Sequence, residues 1–431
     1  MTGLASPLTL PCGATLPNRI AKGAMTEGLA TADGVPTPEL ERLYRLWSEG
    51  GAGMLLTGNV QIDRDHLERP GNVIIDGPPS AELRAALERW AKAGTTAGNH
   101  LWMQISHAGR QTPALVNKAP KAPSAVKLGL PGGQFGEPVA LTAAEIHDLI
   151  DRFVATGVVA RETGFTGVQF HAAHGYLLSA FLSPRANVRT DEWGGSLENR
   201  TRALIEIVRR ARAELGADYP ISVKLNSADF QKGGFAFEES VIVAGWLQEA
   251  GVDLIEISGG SYEQPKMMDM AGLEASEEPV VAASTAAREA YFVDFAKAMK
   301  ASVSVPMMVT GGFRTSAAMI YALETGGADL IGIGRPMCAD PDGPKQLLNG
   351  SANLRRWERE LHLLPSPLRW LNNIGIVRAI GSFAVTYWYY AQLYALGRTG
   401  LADKTKSVFA SWREVEATHK ALMAARGSVQ Q

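Results

Sequence analysis

Short apolar runs rich in β-branched residues or methionine recur along the chain at residues 19–25, 53–60, 100–106, 167–174, 221–226, 254–260, 305–312 and 330–336. Between them lie amphipathic stretches such as PELERLYRLWSEGG, AELRAALERWAKAG, AAEIHDLIDRFVATGVVARETG and SLENRTRALIEIVRRARAELG. Several begin after Thr, Ser or Pro and end at Gly, which are the entry and exit signals of helices. Eight strand-like runs alternating with helices predict an α/β fold, a (β/α)8 TIM barrel rather than an open sheet. The near-continuous apolar character of MMV and LIGI suits strands buried on both faces.

Ahead of the first run, SPLTLPCGATLPNRI predicts a hairpin that turns at Cys12-Gly13 and plugs the bottom of the barrel. Residues 108–141 contain five prolines and are expected to form an excursion instead of a helix, as are residues 261–287. The alternation then stops. The expected division is a barrel over residues 1–350 and a helical C-terminal extension over 351–431, packed on the barrel or on a partner subunit. Its last residues, ARGSVQQ, read as disordered.

Composition narrows the function classes. Hydrophobic residues make up 46% of the 431, enough for a large core. Lys+Arg number 42 against 44 for Asp+Glu, so a nucleic-acid or anionic-membrane surface, which needs a basic excess, is not expected. Cys12 and Cys338 are the only cysteines and cannot build a disulfide framework or an iron–sulfur ligand set. The N-terminus lacks a signal-peptide pattern, so the expected compartment is cytoplasmic. Residues 379–396 carry no charge over roughly the length of a bilayer span. They also carry Ser382, Thr386, Gln392 and four tyrosines, and Arg378 and Arg398 bracket them closely, which favours a packed helix.

In a TIM barrel the chemistry lies at the C-terminal ends of the strands. Those ends present Met25 and Thr26, then Gln104 and His107, then His171, His174 and Tyr176, then Lys224 and Asn226, and finally Gly311-Gly312 and Gly334-Arg335. Glycine loops after the last two strands are suited to phosphate, with Arg335 as a fork of donors. The alternative is tight turns and a solvated surface charge. Lys224 is a cation within an apolar strand, and it needs either an anionic ligand such as a reduced flavin or a carboxylate on a neighbouring strand. Gln104 and Thr26 match the edge of a pyrimidine-like ring, or serve as satisfied core groups. His171, His174 and Tyr176 are the pattern of two hydrogen-bond donors for one oxygen and a nearby proton donor. The competing readings are a metal site, for which no third ligand is evident, and core histidines bonded to backbone.

The run HAAHGYLLSAFLSPRANVRTDEWGGSLENRTR at residues 171–202 resembles the most recognisable signature of the Old Yellow Enzyme family. NRI…GAMTEG, MQISHAGRQ, VKLNSADF, GGF and GIGRP follow in that family's order, so the resemblance covers roughly residues 5–345. It implies non-covalent FMN held by Ala24, Met25, Thr26, Gly58, Gln104, Lys224, Gly311, Gly312, Gly334 and Arg335. It further implies that His171 and His174 bind an oxygen of the substrate and that Tyr176 is the proton donor. The implied activity is that of an ene-reductase. NADPH or NADH is the reductant, and activated C=C bonds of α,β-unsaturated carbonyl compounds are reduced by a ping-pong mechanism.

Two departures stand out. Thr26 occupies a place where one branch has cysteine, and Lys224 one where the same branch has arginine. The cysteine cluster and nucleotide-binding half of larger relatives are lacking, so electrons are expected directly from NAD(P)H. A flavin dehydrogenase or demethylase on the same fold remains an alternative, as does a non-catalytic flavin-binding module. The partners expected are a small activated alkene and no nucleic acid, and a homodimer through the extension is one assembly this allows. The Tyr387–Tyr390 aromatic cluster is a candidate cap over the substrate pocket.

Overall fold

The computed structural model describes residues 3–130, 133–260 and 285–429. A hairpin of β1 (Leu8–Thr9) and β2 (Thr15–Leu16) comes first, closed at Cys12-Gly13 by the Gly13 N–H on Leu10 O. It is followed by β3 (Ile20–Lys22), α1 (Pro38–Glu49), β4 (Met54–Gln61), α2 (Ala81–Gly94) and β5 (His100–Ser106). The proline-rich excursion carries β6 (Lys121–Ala122) and β7 (Val139–Ala140), a small two-stranded sheet. Then come α3 (Ala143–Glu162), β8 (Gly167–Ala172), α4 (Leu177–Leu182), α5 (Leu197–Leu215), β9 (Ile221–Asn226), α6 (Phe237–Glu249) and β10 (Leu254–Ser258). The chain continues through α7 (Thr285–Lys300), β11 (Met307–Thr310), α8 (Ser316–Glu324), β12 (Leu330–Ile333) and α9 (Gly343–Leu348). Most of the excursion expected at 261–287 lies outside the described residues, and its last three open α7.

Strands β3, β4, β5, β8, β9, β10, β11 and β12 close into a barrel, every neighbouring pair parallel. All eight coincide with the apolar runs in the sequence. Side chains alternate between the barrel axis and the surrounding helices. The helices start where the polar signals lie: Thr37, Ser80, Thr142 and Ser196 each accept an N–H of the first turn, and Thr142 with Glu145 completes a capping box.

Leu8, Leu10 and Leu16 of the hairpin pack on Ala21, Met54, Leu56, Trp102, Leu254, Met308 and Leu330, which line the N-terminal half of the barrel. The hairpin therefore seals that end, as expected. Burying each leucine contributes about 2 kcal/mol.

The extension is helical in α10 (Gly375–Thr399) and α11 (Val408–Val429), so the tail read as disordered continues as helix to Val429. α10 packs against α1, α11 and the 3-10 turn Arg335–Cys338. Arg42 donates to the carbonyls of Gly397 at 2.6 Å and Arg398 at 2.7 Å. The extension thus lies on its own barrel. Among the described residues no helix is long and apolar enough to cross a membrane.

Candidate active site

β8 ends at Ala172, and the backbone then turns sharply. His174 has φ +63° and Gly175 φ +79°, two consecutive left-handed residues. The conformation is costly for a histidine, about 1–3 kcal/mol, and persists only where the surroundings impose it. Here the His174 N–H donates to Asn226 Oδ1 (3.1 Å) and Gln111 Nε2 donates to His174 O (2.8 Å). The His174 Nε2 and Ser258 Oγ share a hydrogen bond of 2.7 Å. The turn brings three rings together: His171–Tyr176 centroids are 4.9 Å apart, His171–His174 5.0 Å and His174–Tyr176 6.5 Å.

Both histidines are neutral. Burial, then the neighbouring His174 and Lys224, hold His171 well below the ordinary histidine range, and burial and Lys224 do the same to His174. His171 Nδ1 accepts the Ala173 N–H at 3.2 Å, so its proton resides on Nε2. That nitrogen is a donor without being a cation.

Below this cluster the barrel interior carries polar rows. Gln104 Nε2 donates to Gln169 Oε1 (2.6 Å), and Gln169 Nε2 donates to Ser222 Oγ (3.1 Å). One row higher, His171, Lys224 and Glu256 stand in register on β8, β9 and β10. Lys224 Nζ lies 3.0 Å from Glu256 Oε1, both side chains buried. Of the two readings of Lys224, the carboxylate on a neighbouring strand is thus present in the structure.

Ala24, Met25 and Thr26 lie beyond the end of β3, beside the irregular stretch Thr57-Gly58 of β4. A Cβ at Gly58 would come within 2.6 Å of Met25 O, so the close approach requires glycine. Of the two readings of Thr26, a satisfied polar group is present in the structure. Its hydroxyl donates to Glu68, which also accepts Asn59 Nδ2 at 3.2 Å. The Gly58 N–H is likewise taken, by Glu27 Oε1 at 2.8 Å.

Sequence reasoning missed this supporting layer. Tyr44 also donates to Glu27, and the buried Lys22 donates to Leu56 O at 2.6 Å with its ammonium 4.2 Å from the Trp47 ring centre. Burial lowers the Lys22 ammonium to about 8, with Glu27 acting against it. A lysine inside the IAK strand was the same signal as the one read at Lys224.

Gly311 (φ +146°) and Gly312 (φ +71°) follow β11, and Gly334 and Arg335 follow β12. Gly334 abuts Met25, which joins this end of the site to the β3 loop. The N–H groups of Gly312 and Gly334 donate to no described carbonyl. Arg335 is half-buried and forms no hydrogen bond or ion pair with a described residue, while Thr310 Oγ1 is buried without a partner. Amides, a guanidinium and a hydroxyl without partners among the described residues fit a phosphate-bearing cofactor such as FMN. The next residue pair in the loop is different: Arg314 is occupied by Glu358 of the extension at 3.1 Å.

His107 belongs elsewhere. His66 and His107 stack 4.4 Å apart and both face Asp63. His66 Nε2 accepts the Lys121 N–H and His107 Nδ1 accepts the Gly109 N–H. The nitrogens facing Asp63 therefore carry the protons, at 3.1 Å for His66 Nδ1 and 3.8 Å for His107 Nε2, and the cluster is an electrostatic clasp between loops rather than a ligand set. Burial opposes ionisation of Asp63, but the hydrogen bonds of His107 and His66 outweigh it and hold the carboxyl well below its usual range. The Tyr387–Tyr390 cluster, a candidate cap over the substrate pocket, is engaged within its own chain. Tyr387 bonds Glu416, Trp388 bonds Lys406 O, Tyr389 bonds Glu358, and the Tyr390 ring lies 3.6 Å from the Arg69 guanidinium.

Residues 4–353 match the sequence family described as NADH:flavin oxidoreductase / NADH oxidase. The chain is 38% identical over 355 residues to the NADH-dependent flavin oxidoreductase iliE of Neonectria sp. (strain DH2), covering 79% of this chain but only 46% of that protein. It is 33% identical over 413 residues to the NADH-dependent flavin oxidoreductase iccE of Talaromyces variabilis, covering 92% of this chain and 99% of that one. The fold superposes on the old yellow enzyme homologue from Zymomonas mobilis with a TM-score of 0.66 at 26% identity, over 83% of this chain and 95% of the other.

Proposed function

The chain belongs to the NADH:flavin oxidoreductase / NADH oxidase family of Old Yellow Enzyme relatives, and from that premise we propose that it reduces activated C=C bonds. Its class follows from the family: an FMN-dependent oxidoreductase that draws electrons from a reduced nicotinamide. NADH is the proposed donor, in keeping with the names of the relatives. The proposed substrates are α,β-unsaturated carbonyl-type compounds. The observation that carries this reading is the neutral His171–His174 pair with Tyr176 packed against it.

When bound, FMN supplies hydride transfer between nicotinamide and substrate. The chain supplies the rest. His171 donates through Nε2, and His174 beside it, to the electron-withdrawing oxygen of the alkene, which makes the β-carbon electrophilic. Tyr176 delivers a proton to the α-carbon. Arg335 and the amides of Gly312 and Gly334 hold the phosphate, with Gly311 allowing close approach. Gln104 and Lys224 meet the ring edge, and Ala24, Met25 and Gly58 line the ring. Thr26, its proton engaged by Glu68, meets the ring as an acceptor. Nicotinamide and alkene occupy the same site in turn.

The test is anaerobic. Reduction of the purified enzyme by NADH or NADPH, followed by reoxidation with 2-cyclohexenone or maleimide, supports the ene-reductase. Reduction by a metabolite such as an amine, with no reoxidation by either alkene, assigns the site to a dehydrogenase. The proposal extends to assembly. Leu368, Trp370, Ile374, Ile380 and Phe383 of the extension are exposed apolar residues and support a homodimer. Monomer mass in sedimentation at micromolar concentration would remove that part.

A further inference from the structure

Among the described residues, Glu256 is the one charged residue on the barrel axis that the proposed reaction does not use. It stands on β10 with the same inward parity as Leu254 and Ser258, while Ile255 and Ile257 face the helices. Its side chain is fully buried. Apart from the Lys224 ammonium 3.0 Å away, no described group donates to either carboxylate oxygen. Burying a carboxylate with a single partner is unfavourable compared with an apolar residue of similar size. Stability therefore gives no reason for its presence. It sits in register with Lys224 and Met308, two strands over from His171, and so belongs to the level that faces the ring edge.

We infer that Glu256 sets the flavin potential by pairing with Lys224, compensating the ammonium charge and fixing its position. The inference rests on the reading that FMN lies over Lys224. A hydride from NADH carries two electrons and one proton, leaves NAD+, and adds one negative charge to the bound ring system. The ammonium favours that charge and the carboxylate opposes it. With both present the pair is neutral, so the reduced cofactor remains a strong donor toward an alkene. At distances of several ångströms in a protein interior, one unit charge changes such an equilibrium by about tenfold or more.

The holoenzyme midpoint potential, measured against a reference dye under anaerobic reductive titration, reads this directly. Glu256→Gln is expected to raise the reduced-to-oxidised ratio at a fixed dye potential by about tenfold or more, which for a two-electron couple is about 30 mV. Lys224→Met is expected to move it the opposite way, and the double variant to fall between the two singles. If Glu256→Gln does not accumulate as folded protein, Glu256→Asp, which withdraws the charge by one methylene, should give a smaller shift in the same direction. A potential within twofold of wild type in a variant that retains FMN overturns the inference and leaves the site reading intact. A wild-type apoprotein that takes up no added FMN overturns the site reading itself.

Discussion

Arg314, three residues beyond the Gly311 turn, is held by Glu358 of the C-terminal extension, with Nη2 3.1 Å from Oε1. Tyr389 of α10 donates to the other oxygen of Glu358 at 3.3 Å. The loop that carries the Gly312 amide is therefore fixed from the extension, and Arg335 beside it has no ion-pair partner among the described residues.

Cutting this tie should loosen the phosphate end of the site. Glu358→Gln leaves a buried guanidinium short of a charged partner, at a cost of about 2 kcal/mol. The expected result is a lower denaturation midpoint and FMN that dissociates several-fold faster, read by recovery of free flavin fluorescence on dilution. Rates of alkene reduction at saturating FMN should change little.

His174 is held in a left-handed turn by Asn226, Gln111 and Ser258. Its replacement by alanine should weaken binding of a phenol at least tenfold, judged by the charge-transfer band that a phenol forms with the oxidised holoenzyme. An unchanged phenol affinity would mean that the histidine pair does not bind an anionic oxygen.

Acid should destabilise the fold through its buried neutral histidines. Burial, with His66 adding to it, lowers His107 to about 4, and burial lowers His419 to about 3; His171 and His174 are also held down. The unfolded chain protonates its histidines below the ordinary value of about 6.5, while the folded chain does not. Stability is therefore full above pH 6.5 and lost as pH falls towards 4. The loss is on the order of 1 kcal/mol per pH unit for His107 alone. In urea titrations, His107→Gln should flatten this limb.

The Asp63–His66–His107 clasp should not take up metal. Zinc would require moving each ring proton onto a nitrogen that already accepts a backbone N–H. Neither EDTA nor a stoichiometric addition of zinc should move the melting temperature, and a stabilising shift lost in His66→Gln would show that the protons can be displaced.

The barrel was legible because a parallel strand buried on both faces leaves an unbroken apolar run; HLWMQIS and ISVKLN coincide with β5 and β9 residue for residue. The hairpin and the helix starts were legible for equally local reasons, as Cys12-Gly13, Thr37, Ser80, Thr142 and Ser196 act on neighbouring backbone. The gathering of His171, His174 and Tyr176 could be read because six residues span it. The partners of those groups could not. Glu27, Glu68 and Glu358 reach the site from loops and from the extension, and nothing in their local sequence distinguishes them from surface carboxylates, whereas Glu256 inside the apolar LIEIS strand carried the same signal as Lys224. The partners of the aromatic cluster at 387–390 were hidden for the same reason, since its direction depends on how α10 lies against α1 and α11.

The most direct test of the account is the pair of half-reactions in Tyr176→Phe, followed by anaerobic stopped-flow. Reduction of the flavin by NADH should proceed at the wild-type rate, because no proton from Tyr176 enters that step. Reoxidation by 2-cyclohexenone should slow by about 10²–10⁴-fold, the usual contribution of a positioned proton donor. Reoxidation at an unchanged rate would contradict the assignment of Tyr176, and with it the reading of the three-ring cluster as the substrate-activating edge.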